Sequence, residues 1–306
     1  MNEEMCPIFE FTWNYFPDEL DSDGNYQFND NNIYSTYCND NIDNCKTDLD
    51  KINAACSVLF EIFFENSDSF MNYAKNNINI AGYILAWLSY ILTRKTNDGI
   101  SNLNDFYNIY IKNKEKYNKH ITGVHGYTSY QNLIDKYKEL MAIDINYVSK
   151  FYAPLKSLCG MHNACNIRNS SCKKCLENAN DFAQTYNELN GDSNHNESDS
   201  YKNVLYSLST DYNHFKKHCA ENCGDCNDTL SFPEIEAPQG SFQIFEAASS
   251  SSAIASKLVP ALSIFAIPFF LGIAYKYSLF GFDKRVHRQY LREKLKKLKK
   301  KMNNYI

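Results

Sequence analysis

Apolar residues recur at helical spacing through most of the chain before residue 220. In the clearest example, five apolar residues at alternating intervals of three and four positions share one helical face: Leu49, Ile52, Cys56, Leu59 and Phe63. Similar patterns predict helices at residues 103–111, 133–151, 178–189 and 201–219. No alternating strand pattern of useful length is present. The sequence therefore predicts an all-α fold after a loop-like start, rich in Asn and Asp, that extends to about residue 47.

The segment from Ile80 to Leu92 is the most apolar part of this helical region. It holds thirteen residues and is followed by Thr93, Arg94 and Lys95. A helix needs about 20 apolar residues to cross a bilayer, so this segment is too short for a membrane span. We therefore predict a central core helix at this position.

A longer apolar run lies close to the C-terminus. Leu258 to Tyr275 contains eighteen residues without a charge, and a lysine flanks each end. A helix of this length, at about 1.5 Å per residue, matches the thickness of the hydrocarbon layer. The alternative is a buried helix of a soluble core, but the short charged segment that follows could not cover it. The sequence thus predicts one transmembrane helix over residues 257–276.

Charge is segregated on the two sides of this run. Residues 276–306 contain eleven Lys or Arg and two acidic residues, whereas the whole chain has a net charge of −5, so the part before the run is acidic. Short basic flanks remain on the cytoplasmic side of a membrane. The charge pattern predicts a basic cytoplasmic tail over residues 277–306 and a non-cytoplasmic N-terminal domain.

The basic tail is predicted to form a helix that faces lipid. Leu291, Leu295, Leu298 and Met302 form one apolar stripe on a helix that is otherwise basic. Because the tail directly follows a span, we expect the bilayer and its anionic lipid as partners, and no nucleic acid. A solvated charged helix is the alternative. The residues assigned to lipid are Lys284, Arg285, Arg288, Arg292, Lys296, Lys297, Lys299 and Lys300.

All eleven cysteines lie between Cys6 and Cys226, on one side of the predicted span. Disulfides persist in oxidising compartments, so this distribution favours disulfides in a non-cytoplasmic domain. An odd count leaves at least one cysteine outside intramolecular pairs, and we predict that this is Cys6, beside Pro7. The disulfide candidates are Cys38, Cys45, Cys56, Cys159, Cys165, Cys172, Cys175, Cys219, Cys223 and Cys226.

Two C-x-x-C pairs, Cys172–Cys175 and Cys223–Cys226, raise zinc as an alternative. Their separation is longer than in a zinc ribbon, and other cysteines intervene, so no metal site is predicted. We expect His162 and His218, near these clusters, to be ordinary surface histidines. The motifs of nucleophile elbows, phosphate-binding loops and zinc proteases are absent from the sequence, which predicts a protein without catalytic residues or a cofactor.

Four regions result. Residues 1–226 form a helical ectodomain, and residues 227–256 form a low-complexity stalk with two prolines and a serine run, which we interpret as a spacer. The transmembrane helix at 257–276 and the tail at 277–306 follow. The acidic N-terminus has no signal-peptide pattern, so the downstream span is expected to act as an insertion signal; a tail-anchored cytosolic protein is the competing topology.

Several segments resemble the Plasmodium interspersed repeat proteins, the Cir/Yir/Bir variant antigens of rodent malaria parasites. The resemblance covers nearly the whole chain, and its most specific part is the C-terminal block. The segments that carry it are AGYILAWLSYILTRK, NDFYNIYIKN, LIDKYKELMAIDINYVSKFYAPLKSLCGMHN and YKYSLFGFDKRVHRQYLREKLKKLKKKMNNYI.

This resemblance implies a variant antigen exported to the infected red cell, in its membrane or in exported membrane compartments, with a role in host interaction or immune evasion. The expected partner is a host receptor or an antibody, and the expected interaction surface lies around the Asn-rich start and the loop at residues 190–200. The alternative is a structural or trafficking protein of intracellular membranes of the parasite or the host cell.

Overall fold

A computed structural model describes residues 5–28, 35–38, 44–95, 99–124, 126–165, 172–192, 198–222 and 232–238. These residues form α-helices, short 3-10 turns, one π turn and two isolated β-bridges, and none of them forms a strand, which agrees with the all-α prediction. The helices are α1 (Met5–Tyr15), α2 (Asp48–Phe64), α3 (Ser67–Asn72), α4 (Ile80–Thr93), α5 (Leu103–Phe106), α6 (Glu115–Asn118), α7 (Tyr130–Ile134), α8 (Lys138–Ala142), α9 (Ile145–Val148), α10 (Tyr152–Ala164), α11 (Cys172–Asn190) and α12 (Asp199–Asn222).

The chain divides into two units, Met1–Ala247 and Ala248–Ile306, and every described residue belongs to the first. The predicted transmembrane helix at 257–276 and the predicted tail at 277–306, with its eight lipid-facing residues, lie outside the described residues. Among the helices in the described ranges, none is both long enough and apolar enough to cross a membrane.

Helix α4 occupies the centre of the core, as the sequence predicts. Every residue from Ile80 to Leu92 is buried except Tyr90, which is partly exposed. The helix is surrounded by α2, α9, α10 and the 3-10 turn Ser149–Phe151. Because it has neighbours on several sides, its apolar residues extend around the helix instead of forming one stripe.

The start of α2 is fixed by a capping box. The hydroxyl of Thr47 accepts a hydrogen bond from the backbone N–H of Asp50 at 3.1 Å, and the Asp50 carboxylate accepts one from the backbone N–H of Thr47 at 2.9 Å. Of the five residues whose spacing predicts this helix, Ile52, Cys56, Leu59 and Phe63 are buried. The predicted helix is therefore confirmed.

The loop predicted over the first 47 residues is wrong at its start, where α1 runs from Met5 to Tyr15. Pro7 lies in the first turn, where a missing backbone N–H costs little. Cys6, Phe9 and Phe16 are buried on the side of this segment that faces the core. The intervals of three positions from Cys6 to Phe9 and seven from Phe9 to Phe16 are helical spacings, but Asn14 and Pro17 interrupt the apolar pattern in the sequence.

Asp18, just after α1, holds this segment against α10. Its carboxylate accepts a hydrogen bond from the Tyr152 hydroxyl at 2.6 Å and one from the Lys156 ammonium at 2.8 Å. Trp13 also packs edge-on against Tyr152, with ring centroids 5.8 Å apart. A buried carboxylate requires such partners, because its desolvation is otherwise costly.

The helix predicted over residues 133–151 is divided into α7, α8 and α9 with 3-10 turns between and after them. The chain leaves the helical conformation at Ile143, and Asp144 caps α9 by accepting a hydrogen bond from the backbone N–H of Asn146 at 2.8 Å. The backbone N–H of Ile145 donates to the carbonyl of Ser101 at 3.1 Å. This bond to a distant segment replaces a bond within a continuous helix.

Helices α10 and α11 pack closely at Gly160. A Cβ atom at this position would lie 2.4 Å from Oδ1 of Asn178, so a larger residue would displace that side chain or separate the helices. Helix α12 then contacts both α10 and α11. These three helices carry the cysteine cluster described below.

Candidate functional site

A disulfide joins the first helix to α10. Cys6 and Cys159 are bonded across a sequence separation of 153, with their Cα atoms 5.1 Å apart, and both side chains are buried. Such a Cα distance is normal for a disulfide. The prediction that Cys6 is the cysteine left over is wrong, because the packing of α1 brings it next to α10.

Two further described cysteines precede α2. Cys38 and Cys45 are bonded across a sequence separation of 7, with Cα atoms 5.2 Å apart. Cys172, the first residue of α11, is also disulfide-bonded. The candidates Cys223 and Cys226 lie outside the described residues. The structure thus contains a disulfide between distant helices and another between residues close in the sequence.

Cys56 is not a disulfide cysteine, contrary to the prediction. It is a buried thiol in the middle of α2. Burial raises the pKa of this thiol to about 12. A cysteine nucleophile reacts as the thiolate, so a thiol with this pKa is unreactive at neutral pH. We interpret Cys56 as part of the core.

Three buried cysteines from successive helices converge in one place. The Sγ atom of Cys165 lies 2.9 Å from that of Cys175 and 3.1 Å from that of Cys219. Cys165 directly follows α10, Cys175 lies in the first turn of α11, and Cys219 lies in the last turn of α12. All three ligand atoms lie within 4.8 Å of one another. We call these residues the cysteine cluster.

His162 lies one helical turn before Cys165. Its ring packs edge-on against Phe215, with centroids 4.8 Å apart, and its Nε2 atom is buried without a hydrogen-bond partner. Burial lowers the pKa of the imidazole to about 3, so the ring is neutral at physiological pH. His162 and His218 are both partly exposed, but the buried Nε2 atom and the lowered pKa of His162 depart from the expectation of an ordinary surface histidine.

Residues 232–238 lie along α11 and α12. The hydroxyl groups of Tyr186 and Tyr212 donate to the carbonyls of Glu236 and Pro233, each at 2.8 Å. Phe232 packs edge-on against Phe215, with centroids 5.9 Å apart. We call residues 232–238 the strap. This part of the predicted stalk is not a free spacer but a component of the folded unit Met1–Ala247.

A buried hydrogen bond connects α4 to α12. The Tyr83 hydroxyl donates to Oδ2 of Asp211 at 2.6 Å, and burial raises the pKa of Tyr83 well above its usual value. We expect Tyr83→Phe to lower the free energy of unfolding by about 2–3 kcal/mol, because it removes a buried hydrogen bond to a carboxylate. Denaturant unfolding of residues 1–247 measures this change.

The matched control is Tyr107→Phe. Its hydroxyl donates to Oδ1 of Asp135 over the same 2.6 Å, but the Asp135 side chain is 27% exposed and retains access to water. We expect a loss of about 1 kcal/mol here. An equal loss of unfolding free energy in the two variants would show that burial does not strengthen the hydrogen bond between Tyr83 and Asp211.

The expected interaction surface is only partly described. Residues 29–34, 39–43 and 193–197 lie outside the described ranges. In the part of the chain that the structure covers, the large apolar side chains most exposed are Met71 and Ile109, at 51% and 50%. Isolated exposed apolar residues are common on soluble domains and do not define a binding groove.

Comparisons with known proteins agree with the helical architecture. A family model described as Plasmodium variant antigen protein Cir/Yir/Bir matches residues 6–276. The chain belongs to this family. The solved structure of a Plasmodium PIR protein ectodomain is 28% identical, with a TM-score of 0.55, and the match covers 78% of this chain and 98% of that one. A comparison with curated proteins found no match.

Membership of the Cir/Yir/Bir family confirms the resemblance found in the sequence. The solved PIR ectodomain also confirms that the helical part corresponds to an ectodomain of this family. The family is one of variant antigens and not a known family of enzymes.

Proposed function

We propose that this Cir/Yir/Bir protein is a single-pass membrane antigen that presents its helical ectodomain to the host at the infected red cell membrane or in exported membrane compartments. The observation that carries the proposal is the order of regions in a chain of this family. A folded domain is followed by eighteen uncharged residues, Leu258 to Tyr275, and then by a basic tail.

The disulfides support a non-cytoplasmic ectodomain. Cys6–Cys159 and Cys38–Cys45 would not persist in a reducing cytosol. The eleven cysteines all precede the apolar run, which agrees with exposure of this side to an oxidising compartment. The competing tail-anchored topology would place the same disulfides in the cytosol.

We also propose that the protein binds partners without catalysing a reaction. Two described groups of the types that serve as a nucleophile and a base have unsuitable pKa values, because burial raises the pKa of the Cys56 thiol to about 12 and lowers the pKa of His162 to about 3. Catalysis at neutral pH requires such groups near neutral pKa and within reach of substrate. Host receptors or antibodies are the partners that we infer.

Protease treatment of intact infected red cells tests this topology. We expect trypsin to remove the ectodomain and to leave a membrane-bound fragment that reacts with an antibody against residues 277–306. A parasite cytosolic protein in the same cells must stay intact. Complete protection of the full-length chain would contradict surface display and favour a structural or trafficking role at intracellular membranes.

A variant that lacks residues 257–276 is the matched control for the anchor. It retains the ectodomain and the basic tail, so we expect it in the soluble fraction after a high-salt wash while the unaltered chain stays with the membrane. If the unaltered chain is also released by salt, the predicted membrane span does not exist.

A further inference from the structure

The cysteine cluster has a geometry that a single disulfide between its members does not satisfy. Cys165 is almost equally distant from Cys175 and Cys219, at 2.9 and 3.1 Å between Sγ atoms. A disulfide joins only two sulfur atoms, at about 2.05 Å, and the nearly equal distances from Cys165 do not single out one pair within the cluster. A metal ion, by contrast, contacts all three sulfur atoms at once.

Zinc fits the size of this cluster. Zn–S distances are about 2.3 Å, and a tetrahedral arrangement then separates the sulfur atoms by about 3.8 Å. The two shorter Sγ distances would have to open by less than about 1 Å, and the whole cluster already lies within 4.8 Å. Rotation of the cysteine side chains is sufficient for a change of this size.

We propose that Cys165, Cys175 and Cys219 bind one zinc ion as three thiolate ligands. Soft thiolate ligands in a tetrahedral arrangement favour zinc over magnesium or calcium. All three side chains are buried, which is typical of structural sites and not of exposed catalytic ones. The fourth ligand can be water or a further side chain.

The role of the ion would be to hold the C-terminal three helices together. Its ligands come from the end of α10, the start of α11 and the end of α12. Binding energy at a structural zinc site contributes directly to folding, since the site does not exist in the unfolded chain. The site differs from the C-x-x-C pairing considered from the sequence, because Cys172 is disulfide-bonded and only Cys175 of its pair belongs to the cluster.

Metal analysis of the purified full-length chain in detergent tests the proposal. We expect about one zinc ion per chain by elemental mass spectrometry, after expression with zinc and removal of loosely bound metal. Cys165→Ser should reduce this stoichiometry at least fivefold. The matched control is Cys56→Ser, which removes a buried thiol outside the cluster and should leave the zinc content unchanged.

A second measurement does not depend on the folding of a variant. Replacement of zinc by Co²⁺ in the unaltered chain should produce the sulfur-to-cobalt charge-transfer absorption of thiolate ligands. A metal-free chain in which peptide mapping without reduction links Cys165 to Cys175 or to Cys219 would overturn the proposal. Zinc retained in full by Cys165→Ser, with that variant folded, would overturn it as well.

Discussion

Replacing Cys6 and Cys159 together by serine is expected to lower the free energy of unfolding by about 5 kcal/mol. The bond closes a sequence separation of 153, and the loss of loop-closure entropy in the unfolded chain scales with the logarithm of that length. The double substitution leaves no unpaired thiol from this bond. Urea unfolding of residues 1–247 without reductant measures the difference.

The matched control is the double substitution of Cys38 and Cys45. This disulfide spans a sequence separation of only 7, so its removal is expected to lower the free energy of unfolding by about 2 kcal/mol by the same entropy argument. A loss from the short loop that equals or exceeds the loss from the long one would contradict the argument. The long bond matters more because it restrains most of the ectodomain in the unfolded state.

Ending the ectodomain at residue 226, the boundary predicted from the sequence, is expected to lower the free energy of unfolding by about 3 kcal/mol relative to residues 1–247. The shorter chain loses the strap and with it the hydrogen bonds of Tyr186 and Tyr212 and the contact between Phe215 and Phe232. Each of these contributes about 1 kcal/mol. Thermal unfolding of both chains measures the difference.

Glu234→Gln in residues 1–247 separates the contribution of the partly buried strap contacts from that of the charge of the strap. Glu234 forms an ion pair with Lys216 at 2.7 Å, but its side chain is 85% exposed. Exposed ion pairs are worth at most about 1 kcal/mol, so this variant should unfold almost like the unaltered chain. Equal stability of the two truncated chains would show that residues 232–238 do not stabilise the ectodomain.

The helices in which a pattern of apolar residues continues over several turns could be predicted from the sequence. In α2 the apolar spacing and the Thr47–Asp50 capping box are both local signals, and in α4 an uninterrupted apolar run indicates burial on all sides. Such elements depend mainly on residues close together in the sequence. Both helices lie where the sequence predicts them.

The elements that were missed depend on distant contacts. The break at Ile143 combines the local Asp144 cap with the bond between Ile145 and Ser101, and no local pattern reveals that bond. In the strap, apolar residues alternate with Glu234 and Glu236, which is only a weak local signal, and the segment is stabilised by its contacts with α11 and α12. A short segment with prolines therefore resembled a free spacer.

The helical class, the resemblance to the Cir/Yir/Bir family and the division into an acidic, cysteine-containing part and a basic part could all be predicted from the amino-acid sequence, because they depend on composition and on the spacing of residues along the chain. Which cysteines come into contact depends on how the helices pack. Cys6 reaches Cys159, Cys56 stays a buried thiol, and the cysteine cluster gathers residues from three helices. The physical reason is that sulfur contacts require approach within a few ångströms, and helix packing, not distance along the chain, sets that approach.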